Sequence, residues 1–186
     1  MIVGNQKPDM INIEPGIFEV VKNLNALGVN TVASCEGHLD HGMAGPWVDV
    51  ESDADTCELE NKLDNLKIKI NSYETNRTYG NKCDNILKQY HIVLNKLRRM
   101  HIKQQAKLQE LLADFYQNRQ VVFDIRLHTS EIFSDGSCRL ENQGVNVQEI
   151  RSLKNKAKKL KEYQTEMATF GQYLKSKSTT CKKRKQ

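Results

Sequence analysis

The stretch Gly28-Val29-Asn30-Thr31-Val32-Ala33-Ser34-Cys35-Glu36-Gly37 decides the fold class of this chain. Val29, Thr31 and Val32 are β-branched, and such side chains suit a pleated, half-buried surface. Gly28 and the Glu36-Gly37 turn bound the run, so Val29 to Cys35 reads as a strand. Upstream, Pro15 to Leu27 reads as a helix. Pro15 suits the first helical position, Ile17, Phe18, Val20, Val21 and Leu24 gather on one side, and Gly28 ends it. Downstream, small and polar residues from Glu36 to Gly45 form a loop, and Pro46 opens a second short strand, Trp47 to Glu51.

Beyond that point the pattern is mostly helical. Asp53 or Asp55 is placed to cap a helix in which Leu59, Leu63, Leu66, Ile70 and Tyr73 are spaced 4, 3, 4, 3. Thr75 to Asn81 breaks the pattern. Ile86, Tyr90, Val93, Leu97 and Met100 then repeat the spacing, and it resumes at Leu108, Leu111 and Phe115 after an irregular step across Gln104. The two helices read as an antiparallel hairpin, residues 53–118, inserted into a body formed by residues 1–52 and 119–145. Val121 to His128 reads as a third strand. Cys138 to Glu141 reads as a fourth, at the sheet edge, after the turn Ser134-Asp135-Gly136-Ser137. Val147 to Leu174 reads as a C-terminal helix within residues 146–175, and the polar, basic residues 176–186 read as a disordered tail.

The expected architecture is therefore α+β: a small, mainly antiparallel sheet with helices on one face and a long inserted antiparallel helical hairpin. A helix of about 35 residues is about 50 Å long, so part of the hairpin overhangs a body of this size. Its heptad-like apolar seam predicts a homo-oligomer assembled through the helices as in a coiled coil.

The chain has 186 residues, 38% hydrophobic and 27% charged, enough for one modest core. No apolar run approaches the roughly 18 residues of a membrane span. The first residues lack the charged start and apolar stretch of a signal peptide, so the expectation is a cytoplasmic protein with no membrane partner. Cys35, Cys57, Cys83, Cys138 and Cys181 are scattered without a Cys-x-x-Cys pair, which predicts thiols. The charge is lopsided: 12 basic against 2 acidic side chains after residue 150, and 16 against 21 before it. Lys182-Lys183-Arg184-Lys185 and the Lys-rich helix ahead of it point to weak, salt-dependent nucleic-acid contact.

Chemistry concentrates at the end of the first strand. Cys35, His38 and His41 stand three apart, close enough in sequence to chelate zinc together, and Gly37, Gly42 and Gly45 let backbone N–H groups approach a ligand. Alternation along the strands would gather Ser34, Trp47, Asp49, Asp124, Arg126 and His128 on the sheet face away from the helices. Trp47 could stack on a small ligand, with Arg126, Arg139 and His38 meeting its charge. Cys35 is also a candidate nucleophile, activated by His38 or His128 and with Glu36 or Asp124 orienting the base.

The segment Ser34-Cys35-x-Gly37-His38 followed by Pro46-Trp47-Val48 resembles that of small uncharacterised proteins of bacteria and their phages, over residues 1–50. The resemblance implies a family without naming a reaction, and its phage setting implies a protein that sequesters a host signal molecule. Gly42-Met43-Ala44 ahead of Asp49, with a His before and His128 later, is also similar to zinc peptidases of the D-Ala-D-Ala carboxypeptidase and Hedgehog type. Those place the Asp two residues after the Ala and a Glu three before the second His, and this chain has neither. That resemblance implies a His/Asp/His zinc site in which His38 or His41 joins Asp49 and His128.

The leading expectation is a ligand-binding module that holds a small polar or anionic, nucleotide-like molecule at the Glu36–Gly45 loop. Its binding residues would be Ser34, Cys35, Glu36, Gly37, His38, His41, Trp47, Asp124, Arg126, His128 and Arg139. The alternatives are a zinc-dependent hydrolase using His38, His41, Asp49 and His128, and a helical interaction protein whose basic tail touches nucleic acid.

Overall fold

The computed structural model describes residues 12–75, 81–145 and 153–183. Its elements follow the order α1 (Pro15–Ala26), β1 (Thr31–Cys35), β2 (Trp47–Val50), α2 (Cys57–Thr75), α3 (Asn81–Tyr116), β3 (Leu127–Glu131), β4 (Cys138–Asn142) and α4 (Leu153–Lys183). The four strands form one antiparallel sheet in the order β1-β2-β4-β3. The α+β class with a small antiparallel sheet and a long helix thus holds.

Side chains in register across antiparallel strands share a face. Ser34, Val48, Leu140 and Thr129 make one row, and Val50 and Cys138 belong to the same face. Val48, Val50, Cys138, Leu140 and Leu127 from the sheet meet Ile17, Val20, Val21 and Leu24 of α1, Leu108, Leu112 and Phe115 of α3, and Met167, Phe170 and Leu174 of α4. This is the main core, and full burial of each large side chain in it contributes roughly 1.5–3 kcal/mol. The opposite face carries two rows: Cys35, Trp47, Glu141 and His128, and beside it Ala33, Asp49, Arg139 and Ser130.

Ser34 is therefore not on the open face, contrary to expectation. A bulge between Thr31 and Ala33 inserts one extra residue in β1. Below it Thr31 points to the core, 1% exposed, and beyond it the alternation is inverted, so Cys35 turns outward and Ser34 inward.

The third strand also departs from expectation. Residues 121–126 form a turn, with Arg126 N–H donating to the Val122 and Phe123 carbonyls, and the strand begins only at Leu127. Its apolar alternation is misleading because Val122 and Phe123 are 66% and 73% exposed. What ends the turn is tertiary: the Tyr116 hydroxyl accepts the Leu127 N–H at 2.8 Å, and the Arg126 guanidinium lies 4.3 Å from the Tyr116 ring centroid. β4, expected at the edge, lies inside the sheet between β2 and β3.

α2 and α3 pack together along Leu63, Leu66, Val93, Leu94 and Leu97, with Leu59, Ile86 and Tyr90 against them, so the seam is satisfied within the hairpin. Asp55 Oδ1 accepts the Cys57 N–H at 3.0 Å at the start of α2. The irregular step at Gln104 has a physical cause. There α3 leaves the hairpin for the body, and its buried positions are polar. His101 Nδ1 accepts the Ser52 N–H at 2.9 Å, Gln104 Oε1 accepts the Asn30 N–H at 3.1 Å, and Lys107 donates to the Gly28 carbonyl at 2.8 Å. Three side chains of α3 thus satisfy backbone groups flanking β1 and β2 that the ladder leaves unpaired.

The basic tail, expected to be disordered, is helical through Lys183. Ser176, Ser178, Thr179 and Thr180 donate their hydroxyls to carbonyls one turn back, and Lys177 pairs with Asp114 of α3. The expected start of this helix at Val147 falls outside the described residues, as do residues 184–186. No helix among the described residues is long and apolar enough to cross a membrane.

Candidate metal and ligand site at the end of the first strand

β1 delivers Cys35 to the rim of the sheet, where the chain leaves for the 36–46 loop. The loop is closed at its neck. Gly37 has φ +83°, and a Cβ there would stand 2.6 Å from the Gly45 carbonyl carbon, so both conformation and contact require glycine. His38 N–H donates to the Met43 carbonyl at 3.1 Å, and Gln164 of α4 donates to the Glu36 carbonyl at 3.0 Å.

The start of α1 is tied to this neck by two carboxylates. Glu14 precedes the helix without capping it with its side chain. Instead Glu14 Oε2 accepts the Glu36 N–H at 2.6 Å, while Glu36 Oε2 accepts the Gly16 N–H at 2.8 Å. The Glu36 carboxylate thereby takes one of the free N–H groups at the helix start. A Cβ at residue 16 would stand 2.7 Å from that Glu36 oxygen, so Gly16 keeps the position open.

Three donors of different chemistry converge here. Glu14 Oε1 lies 2.7 Å from His38 Nε2, and ligand atoms of Glu14, Cys35 and His38 all lie within 4.8 Å of one another. A second group, His38, Asp40 and His41, meets the same limit. The two rings stack with centroids 4.2 Å apart, and His41 Nδ1 is 2.9 Å from Asp40 Oδ1. The inner group is half-buried and the outer one exposed, and His38 belongs to both.

The electrostatics are anionic. Burial raises the Glu14 pKa, but the Glu36 N–H and the His38 ring outweigh it and hold the carboxyl below its usual value. Burial pushes the Cys35 thiol up. The Gly37 N–H partly offsets this, and the negative charges of Glu14 and Glu36 add to it. A nucleophilic cysteine needs electropositive surroundings, and Cys35 has the reverse. A bound cation would change that balance, because a metal displaces the thiol proton outright.

The other sequence candidates divide between two places. Trp47 and Asp49 meet Arg139 on the open face. The guanidinium lies 4.0 Å from the Trp47 ring centroid, donates to Asp49 Oδ1 and Oδ2 at 2.7 and 2.9 Å, and points its remaining nitrogen at Met43 Sδ at 2.9 Å. Arg139 is thus committed to intramolecular partners. His128 Nε2 lies 3.8 Å from Glu141 Oε1 on the same face. Asp124 and Arg126 are elsewhere: Asp124 pairs with Lys159 of α4 at 3.0 Å, and Arg126 covers Tyr116. With no strand at 121–126, no alternation carries them to the open face. Neither of the two donor groups among the described residues includes Asp49 or His128.

Glu14 and Gly16 escaped the sequence reading. The available signal was the start of α1: Glu14-Pro15-Gly16 offers no Ser, Thr, Asp or Asn as a cap, so the helix start must find its acceptor elsewhere in the chain. Comparison with known protein families, characterised proteins and solved structures finds no match to this chain.

Proposed function

We propose that this protein binds a divalent transition metal ion, zinc by the chemistry of its donors, through Glu14, Cys35 and His38. The supporting observation is the convergence of one oxygen, one sulfur and one nitrogen donor within 4.8 Å in an otherwise anionic pocket. Zinc takes such mixed sets at roughly 2.0–2.3 Å, and three protein ligands leave a fourth position for water or a small ligand. His41 and Asp40 stand at the exposed side of His38, where an incoming ion would first meet donors.

This reading keeps the binding module expected from the sequence but reverses the charge of what it holds. Glu14, Glu36 and Asp40 surround the loop, while Arg139 is neutralised by Asp49 and Arg126 is remote. A nucleotide-like anion would meet repulsion there, and a cation would not. The open fourth position leaves room for hydrolytic chemistry at the same ion.

Equilibrium titration with zinc, followed by metal analysis after desalting, tests the proposal. One ion per chain is expected, with binding weakened at least tenfold by Cys35→Ser or His38→Ala. Because the Cys35 proton must leave, affinity should rise with pH. Cobalt in place of zinc should show a thiolate charge-transfer band that Cys35→Ser removes. Stoichiometric binding untouched by both substitutions would overturn the assignment.

A second reading concerns assembly. Ile68 and Ile92 are 67% and 68% exposed on the hairpin, outside its internal seam. We propose that these outer faces of α2 and α3 meet the hairpins of other copies, tested by light scattering of wild type and the Ile68→Lys/Ile92→Lys variant.

A further inference from the structure

On the open sheet face, two strands across from Cys35, a cavity of about 290 Å³ is lined by Met43, Ser130, Glu131, Ile132, Arg139 and Glu141. Its floor holds a carboxylate that the protein only partly satisfies. Glu141 is 4% exposed, and its Oε1 accepts the Ser130 hydroxyl at 2.7 Å. Among the described residues, no donor meets Oε2. His128 Nε2 stands 3.8 Å from Oε1, beyond hydrogen-bond length, and is itself buried without a hydrogen-bond partner. Arg139 borders the cavity but spends its nitrogens on Asp49 and Met43.

A carboxylate that lines a cavity with one oxygen unmet by a protein donor can accept hydrogen bonds from a donor group that enters it. We propose that the cavity binds a small organic ammonium group, with Glu141 as its counter-ion and Ser130 and the Glu131 carboxylate at the rim accepting its remaining N–H donors. The rest of the wall indicates an organic ion rather than a bare metal. Met43 and Ile132 offer aliphatic surface for a carbon stem, and no group of three metal-ligating side chains among the described residues includes Glu131 or Glu141. Calcium requires six to eight oxygens. The cavity is at the small end of the roughly 300–1,000 Å³ range of ligand clefts, which suits a short amine.

The test is calorimetric titration of the full chain, pre-treated with chelator, with 1,4-diaminobutane and with the uncharged 1,4-butanediol. The diamine should bind and the diol should bind at least tenfold more weakly. Glu141→Gln preserves shape and removes the charge, and it should weaken the diamine by tenfold or more, the scale of one charge-assisted hydrogen bond. Should that variant fold poorly by circular dichroism, Ile132→Lys supplies the cation from within the cavity and should abolish diamine binding with the fold intact. Cys35→Ser, which tests the metal reading, should leave diamine binding unchanged. Equal binding of diol and diamine, indifference to both substitutions, or displacement of the diamine by calcium or magnesium would overturn the proposal.

Discussion

In the body, three helices and a sheet converge on Leu24, Leu140, Phe170 and their neighbours, several of them fully buried. In the hairpin, two helices share a single line from Leu59 to Leu97. Both use the same apolar residue types. The difference is how many elements close around each side chain, and it teaches that a heptad-like seam can be satisfied locally without contributing much to the global core. The junction between the regions is polar, built on His101 and Gln104, so α3 is bonded to the sheet there rather than merely packed on it.

The largest expected effect breaks the comparison if it fails. Phe170→Ala should cost about 3–5 kcal/mol in denaturant unfolding, whereas Leu63→Ala in the hairpin should cost about 2–3. Equal losses would mean that the hairpin is as tightly enclosed as the body. Next comes the loop neck: Gly37→Ala should cost about 2–3 kcal/mol, since it combines a left-handed backbone with a clash against the Gly45 backbone. Thermal unfolding measures this, and an unchanged midpoint would mean that the neck opens freely.

The polar junction gives a pH signature. Burial lowers the His101 pKa from 6.5, outweighing the opposing fields of Asp135 and Glu60. The unfolded chain therefore takes up this proton first. The contribution of neutral His101 is complete above about pH 6.5 and is lost as pH falls through the folded-state value. Stability should decline on acidification with a limiting slope of about 1.4 kcal/mol per pH unit for this group. His101→Gln keeps an acceptor for the Ser52 N–H and should flatten that part of the profile, read by denaturant melts between pH 5 and 8. The smallest effect sharpens the hairpin side: Ile92→Lys should change stability by no more than about 0.5 kcal/mol, while lowering the association state if that surface meets another copy.

How much was legible follows from where the information lies. The helices α1, α2 and α3 were readable because apolar spacing, Pro15 and the Thr75–Asn81 break are local signals. The apparent strand at 121–126 was not, because its alternation matches a strand while the Tyr116 hydroxyl and ring hold it as a turn. The serine- and threonine-rich end of α4 looked disordered, since polar composition does not register the contacts with Asp114 and Glu19 that accompany its helix. At the site, Cys35, Glu36, His38 and His41 were visible as an unusual cluster, whereas Glu14, 21 residues before Cys35, was invisible in the linear pattern.

By itself the sequence determined the class, the hairpin, and the concentration of metal-capable side chains at one strand end, because periodicity and short-range spacing operate within a few turns or strand residues. Only the tertiary structure decided which side chains share a face and which carboxylate stands beside Cys35 and His38. One bulge in β1 inverts the facing of Ser34 and Cys35, and the packing of α1 brings Glu14 to His38. Both depend on contacts between elements distant in the chain, and a single inserted residue or helix placement reverses the outcome without altering any local preference.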